Sequence, residues 1–139
     1  MKTVALGLML LSGAVQDVKS KSLRADLLLI PGILAILAVL TEKGAACLPG
    51  MLTGLLPGAF LFLLSSLSRE AVGRGDALAV SLLGAALGPA ETVSILMLAL
   101  FGSALFCCLL LVMGRVSKHT ALPFIPFLAA AYLVTVLIL

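Results

Sequence analysis

Gln16-Asp17-Val18-Lys19, near the start, and Gly73-Arg74-Gly75-Asp76-Ala77, in the middle, are short polar breaks in an otherwise apolar chain. Each sets one aspartate beside a long apolar run. An ionisable side chain is costly to hold at the edge of a membrane span, so its default reading is functional. Two acidic ones suggest a shared site in which each carboxylate disfavours ionisation of the other.

The rest of the chain fits that reading. Of 139 residues, 63% are hydrophobic and 11% charged, whereas a soluble domain has about 25% charged residues. The expected fold class is all-α, a polytopic membrane helical bundle. A span takes about 20 residues, which leaves room for about six transmembrane helices with short loops and for no soluble domain beside them. One domain over residues 1–139 is therefore expected. The runs are apolar on every side, which argues against a membrane barrel with its alternating faces. Polar punctuation places the spans at roughly 2–16, 23–40, 45–67, 76–88, 91–113 and 121–139.

Charge sets the orientation. With the amino terminus outside, the inner loops carry Lys19, Lys21, Arg24, Arg69, Arg74, Arg115 and Lys118, leaving Lys2 and Lys43 outside. This positive-inside bias puts Asp17 and Asp76 together at the cytoplasmic face of the cell membrane. The net charge of +3 is accounted for by these loop residues and does not point to nucleic acid. Lys2, the apolar stretch from Val4 to Leu11 and the small residues Ser12, Gly13 and Ala14 also fit a cleaved signal peptide. The basic cluster Lys19, Lys21 and Arg24 resists translocation and favours retention as a span.

Packing signals are plentiful. Gly50, Gly54 and Gly58, and likewise Gly84 and Gly88, recur every four residues and predict close helix crossings. Pro31 and Pro57 fall inside spans, where Pro57 is expected to kink its helix. Cys47, Cys107 and Cys108 lie in apolar segments without paired spacing and read as small buried residues; with one histidine in the chain, no metal site is expected.

Two carboxylates can hydrolyse a peptide bond when one is deprotonated and takes a proton from water while the other is protonated and polarises the carbonyl. Gly73 and Gly75 are expected to permit backbone angles and a close approach that side chains would block. Taken alone, Gly-Arg-Gly-Asp reads more simply as a turn with Asp76 capping the next helix. Asp26 and Glu91 read as acidic residues in first helical turns, Glu70 and Arg74 as loop charges, and His119 as solitary. Rival chemistries lack their residues: there is no His-Glu-x-x-His, and Ser20 and Lys21 are helix neighbours that point apart.

Residues 73–88, from Gly-Arg-Gly-Asp to Gly84 and Gly88, resemble the GxGD region of type IV prepilin peptidases, intramembrane aspartyl proteases. Asp17-Val18-Lys19-Ser20-Lys21 resembles that family's first catalytic aspartate with its basic tail, and Leu122-Pro123-Phe124-Ile125-Pro126-Phe127-Leu128 the Pro-rich opening of its last span. The resemblance implies Asp17 and Asp76 as the catalytic pair, with Gly73, Arg74, Gly75, Lys19 and Lys21 positioning the motif or the substrate. It implies an aspartic endopeptidase, without cofactor or metal, that cuts the basic leader from a prepilin or pseudopilin at the inner membrane face, in type IV pilus assembly or protein secretion. The chain departs from the family pattern at Leu23-Arg24, where Ile-Pro is common, and at Leu78, where Lys is frequent. The cysteine-rich methyltransferase domain of bifunctional members is not in this sequence, so no methylation is expected. The reading from another class is a non-catalytic membrane scaffold or an inactive peptidase relative.

Overall fold

The computed structural model describes residues 2–20, 25–67, 73–114 and 123–138. Among these it is all-helical: α1 (Lys2–Ser20), α2 (Ala25–Lys43), a 3-10 turn (Gly44–Cys47), α3 (Leu48–Leu67), α4 (Arg74–Leu87), α5 (Pro89–Val112) and α6 (Ile125–Ile138). α3 and α5 are long and apolar enough to cross a membrane, and α1, α2 and α6 contain shorter apolar stretches. The expectation of about six spans is met in part. α4 and α6 have 14 residues each, or ~21 Å of helix against a hydrocarbon core of ~30 Å.

Leu6, Met9, Leu10 and Gly13 recur at three- and four-residue steps and are the buried face of α1. One more step of four reaches Asp17, because α1 does not stop where the apolar run ends but continues to Ser20. On α4 the face carrying Val80, Leu83 and Gly84 runs back through Ala77 to the turn that holds Asp76. α4 packs against α1, α2, α3 and α5, and its buried residues join those of α1, α5 and α6 in one core that includes Leu6, Leu10, Val80, Leu83, Ile95 and Leu128.

The glycine spacing is only partly a packing signal. Gly54 and Gly84 place their backbones in mutual contact, and Gly58 lies against the backbone of Ser81, so α3 and α4 run antiparallel with no room for a Cβ at the crossing. Of the other two glycines of the predicted pattern, Gly88 also approaches Gly54, whose Cβ would lie 3.2 Å from its Cα, and Gly50 does not. Gly50 is exposed with open space around it. Gly88 takes φ +96°, a left-handed value that suits glycine, and turns the chain directly from α4 into α5. Its N–H donates to Gly84 O at 2.8 Å, Pro89 starts the new helix, and Thr92 Oγ1 donates back to Gly88 O at 2.7 Å.

α1 and α6 are antiparallel. At one end the Tyr132 hydroxyl donates to Thr3 O at 3.0 Å, and at the other the Ile125 N–H donates to Asp17 Oδ2 at 3.4 Å. The cysteines are not buried as expected: Cys47 and Cys107 are half-exposed and Cys108 is exposed. The reason for the α5 pair is that this helix is covered only in its first half, where Thr92, Ile95, Leu96 and Ala99 are buried.

Candidate active site

Asp17 and Asp76 reach the same end of the bundle from helices of opposite direction, at the carboxyl end of α1 and the amino end of α4. Both are half-buried. Asp76 precedes the apolar part of α4, outside every apolar stretch long enough to enter a membrane. Its carboxyl is pushed up from the ordinary 3.8 to about 6, chiefly because burial disfavours the charged form and secondly because the Asp17 charge is close by. The second cause exists only if the two side chains are neighbours in space, although 59 positions separate them in sequence.

Local structure explains how Asp76 is held. Gly73 caps α4, and its carbonyl accepts the N–H groups of Asp76 at 3.1 Å and of Ala77 at 3.3 Å. The Asp76 side chain folds back over the glycine: a Cβ at position 73 would lie 3.1 Å from Oδ2. The reason given from sequence for this glycine needs correction. Gly73 has φ −62° and ψ 134°, extended backbone open to any residue, and Gly75 is already inside the helix. What the missing side chain at 73 supplies is space for the carboxylate. The bland reading also holds in part, because Asp76 does stand in the first turn of α4, where a negative charge suits the helix dipole.

Arg74 is exposed as the first residue of α4. Lys19 lies in the last turn of α1, but its side chain falls outside the described residues, as does the whole of Lys21. Glu70, His119 and the Leu23-Arg24 departure also fall outside them, whereas Leu78 is half-buried on α4. Glu91 sits in the first turn of α5, as the Gly88-Pro89 signal predicts. Among the described residues, no group of three or more His, Cys, Asp or Glu comes together.

Sequence reasoning missed one participant, the amino end of α6. Ile125 brings its backbone N–H to Asp17, so a third helix converges on the pair. A signal was present in Pro123-Phe124-Ile125-Pro126, a helix start without any Ser, Thr, Asp or Asn to cap it. Such a start leaves a donor that must find its acceptor elsewhere.

Among the described residues, a cavity of about 510 Å³ lies at the opposite end, between Val39, Cys47, Met51 and Gly88. A smaller one, about 210 Å³ beside Glu91 and Tyr132, is at that end too. Neither touches the aspartates.

A family model described as the type IV leader peptidase family matches residues 4–112, which takes in α1 to α5 and both aspartates and ends before α6. No curated protein and no solved structure matches the chain.

Proposed function

The chain belongs to the type IV leader peptidase family, and on that premise we propose that it is a membrane aspartic endopeptidase that removes the basic leader of prepilins or pilin-like proteins. The observation that carries this reading is the convergence of Asp17, at the carboxyl end of α1, and half-buried Asp76, at the amino end of α4, on one end of the bundle, where the Asp17 charge adds to burial in raising the Asp76 pKa. Two carboxylates so placed keep one proton between them up to about pH 6, which supplies an acid and a base in one site.

The chemistry then balances within the pair. The ionised carboxylate takes a proton from water, whose oxygen bonds to the scissile carbonyl carbon, while the protonated carboxyl gives its proton to the carbonyl oxygen. The gem-diol collapses as one hydroxyl returns its proton to the second carboxylate. The C–N bond breaks, and the amine nitrogen takes the proton held by the first. No metal or organic cofactor enters.

The substrate in this proposal is one pilin-like helix within the bilayer, with its extended basic leader lying across Asp17 and Asp76 at the cytoplasmic face. The multi-pass arrangement and that orientation rest on the distribution of Lys and Arg. Arg74, Lys19 and Lys21 stand within four residues of Asp76 or Asp17 in the sequence and are proposed to position the leader and the motif.

Co-expression with a pilin-like substrate tests the reading by gel shift of the cleaved product. Wild type is expected to cleave, and Asp17→Asn and Asp76→Asn each to lose about 100-fold or more, the usual size of an acid–base contribution. Full cleavage by both variants would remove the two aspartates from the mechanism. An inert wild type offered its own genomic pilin partners would favour a scaffold.

A further inference from the structure

The outer helices form an incomplete ring around α4. α2 packs on α1, α1 on α6, α6 on α5 and α5 on α3, and α4 is set against α1, α2, α3 and α5. One link is missing. Among the described residues α2 and α3 do not pack on each other: the 3-10 turn joins them at the end far from the aspartates, and otherwise both rest on α4. Every other approach to α4 from the side crosses a packed helix pair.

The uncovered strip of α4 lies in that gap. From Ala77 to Ala86 every residue is buried except Leu78, Ser81 and Leu82, which stand three and four positions apart and so share one face. Leu82 lies against α2, where a Cβ at Gly32 would meet its Cδ1 at 2.7 Å, and Ser81 lies against α3 at Gly58. The strip therefore runs between the two helices. Away from the aspartates the same row continues to Ala85, which lines the cavity of about 510 Å³ together with Val39 of α2, Cys47 of the turn and Gly50 of α3. In the other direction it reaches Arg74 and Gly75, next to Asp76 in the chain. α4 is thus the floor of a cleft that begins at this cavity and ends at the candidate site.

We propose that the cleft receives the apolar helix of the substrate, which enters from the bilayer between α2 and α3 and lies along α4 with its leader end at Asp76. The inference rests on the reading of the chain as a leader peptidase and adds the place where the membrane helix of the substrate is held. Two observations select a helix as the occupant. Small residues line the cavity from several sides, through Ala46, Gly50, Ala85 and Gly88, and Gly50 has open space around it. Such residues let two helix backbones approach closely, an advantage that a lipid tail does not use. The cleft is also continuous with the candidate site through α4 itself, so whatever lies in it brings its inner end to Asp76.

The test uses the full chain in lipid nanodiscs with a pilin-like substrate from its own genome. The photo-crosslinking residue p-benzoylphenylalanine is placed at Leu78 or Gly50 in the cleft, or at exposed Leu105 on α5, in an Asp76→Asn background that holds substrate uncut. Substrate adducts are expected from positions 78 and 50 and not from 105. Mapped by mass spectrometry, the adduct from 78 is expected within about two turns of the cut, and that from 50 roughly 10 residues further along the substrate helix, at 1.5 Å of rise per residue. In otherwise wild-type protein, Gly50→Leu puts a side chain into open space and is expected to keep the melting temperature. It is expected to raise KM about tenfold with kcat unchanged, as steric crowding of a bound helix does. Leu105→Trp is expected to change neither.

Substrate adducts from 105 but not from 78 or 50, or an unchanged KM in Gly50→Leu, overturn the cleft. Adducts from 78 and 50 with lipid alone, or with a second copy of the chain, do the same. If the bulky residue at 78 does not fold, position 50 and the Gly50→Leu kinetics decide. When wild type cleaves, any of these failures sinks this inference alone. An inert wild type that yields no substrate adduct at any position sinks the leader-peptidase reading, and the cleft with it.

Discussion

α4 and α5 follow one another across the single residue Gly88, yet the bundle treats them in opposite ways. α4 is short and mostly buried, through Ala77, Ala79, Val80, Leu83, Gly84, Ala85 and Ala86. α5 is longer and greasier and stands largely outside, with Phe101 71% and Val112 87% exposed. In a soluble protein the order would be reversed. Lipid is as apolar as a leucine side chain, so helices meet there by close packing, and small residues select the inner position. The inner helix is the one that carries an aspartate at its end.

The hardest way to break this comparison is a large side chain at the inner crossing. Gly84→Leu would drive its side chain into the Gly54 carbonyl, which cannot rotate away. The expected result is loss of the monodisperse folded protein in size exclusion and of its cooperative melt. On the outer helix, Leu105→Ala is expected to change stability by no more than about 0.5 kcal/mol, the usual range for an exposed site.

Next in size is Gly73→Ala. The added methyl crowds the Asp76 carboxylate but leaves an unstrained backbone. kcat/KM is expected to fall about tenfold, as a small misplacement of a reacting group does, with the melting temperature nearly unchanged.

Titration sharpens the comparison further. In Asp17→Asn, the Asp76 carboxyl followed by 13C NMR is expected to titrate below the wild-type value of about 6 but still above 3.8, because burial is the larger cause of its shift. The sign for stability follows. A carboxyl whose folded pKa is raised stabilises the fold while protonated, fully below pH 3.8, and that stability is lost as pH rises to about 6. Wild type is therefore expected to lose stability relative to Asp76→Asn across that window in melts at stepped pH.

A modest effect on stability alone belongs to the far end. Tyr132→Phe removes the hydroxyl that donates to Thr3 O. It is expected to cost about 1 kcal/mol in chemical denaturation and to leave cleavage unaltered.

Much of the bundle was legible in the sequence. The apolar runs marked the helices to within a few residues, and Gly54, Gly58 and Gly84 marked a close crossing. The boundary that mattered most was only roughly marked: the apolar run of the first span ends near 16, where hydropathy falls, and the helix continues past it to Ser20. That extension puts Asp17 on the inner face at a four-residue step from Gly13. Gly88 was read as packing and is both a packing residue and a turn: a Cβ on Gly54 would lie 3.2 Å from its Cα, and its left-handed backbone turns α4 into α5. The Pro-rich start of α6 was noticed for its resemblance to a family motif, but its bond to Asp17 joins residues 108 positions apart and leaves no trace in local pattern.

The sequence by itself determined that this chain is helical and apolar, that two aspartates stand at the edges of its apolar runs, and that their surroundings resemble a peptidase family. Composition and period are local properties, and they decide such questions. Only the tertiary structure decided that Asp17 and Asp76 act on each other, that Gly73 is needed for space and not for conformation, and that α6 donates to one carboxylate and not the other. These depend on which helix faces meet and at what depth, and that is fixed by backbone contact at small residues scattered along the whole chain.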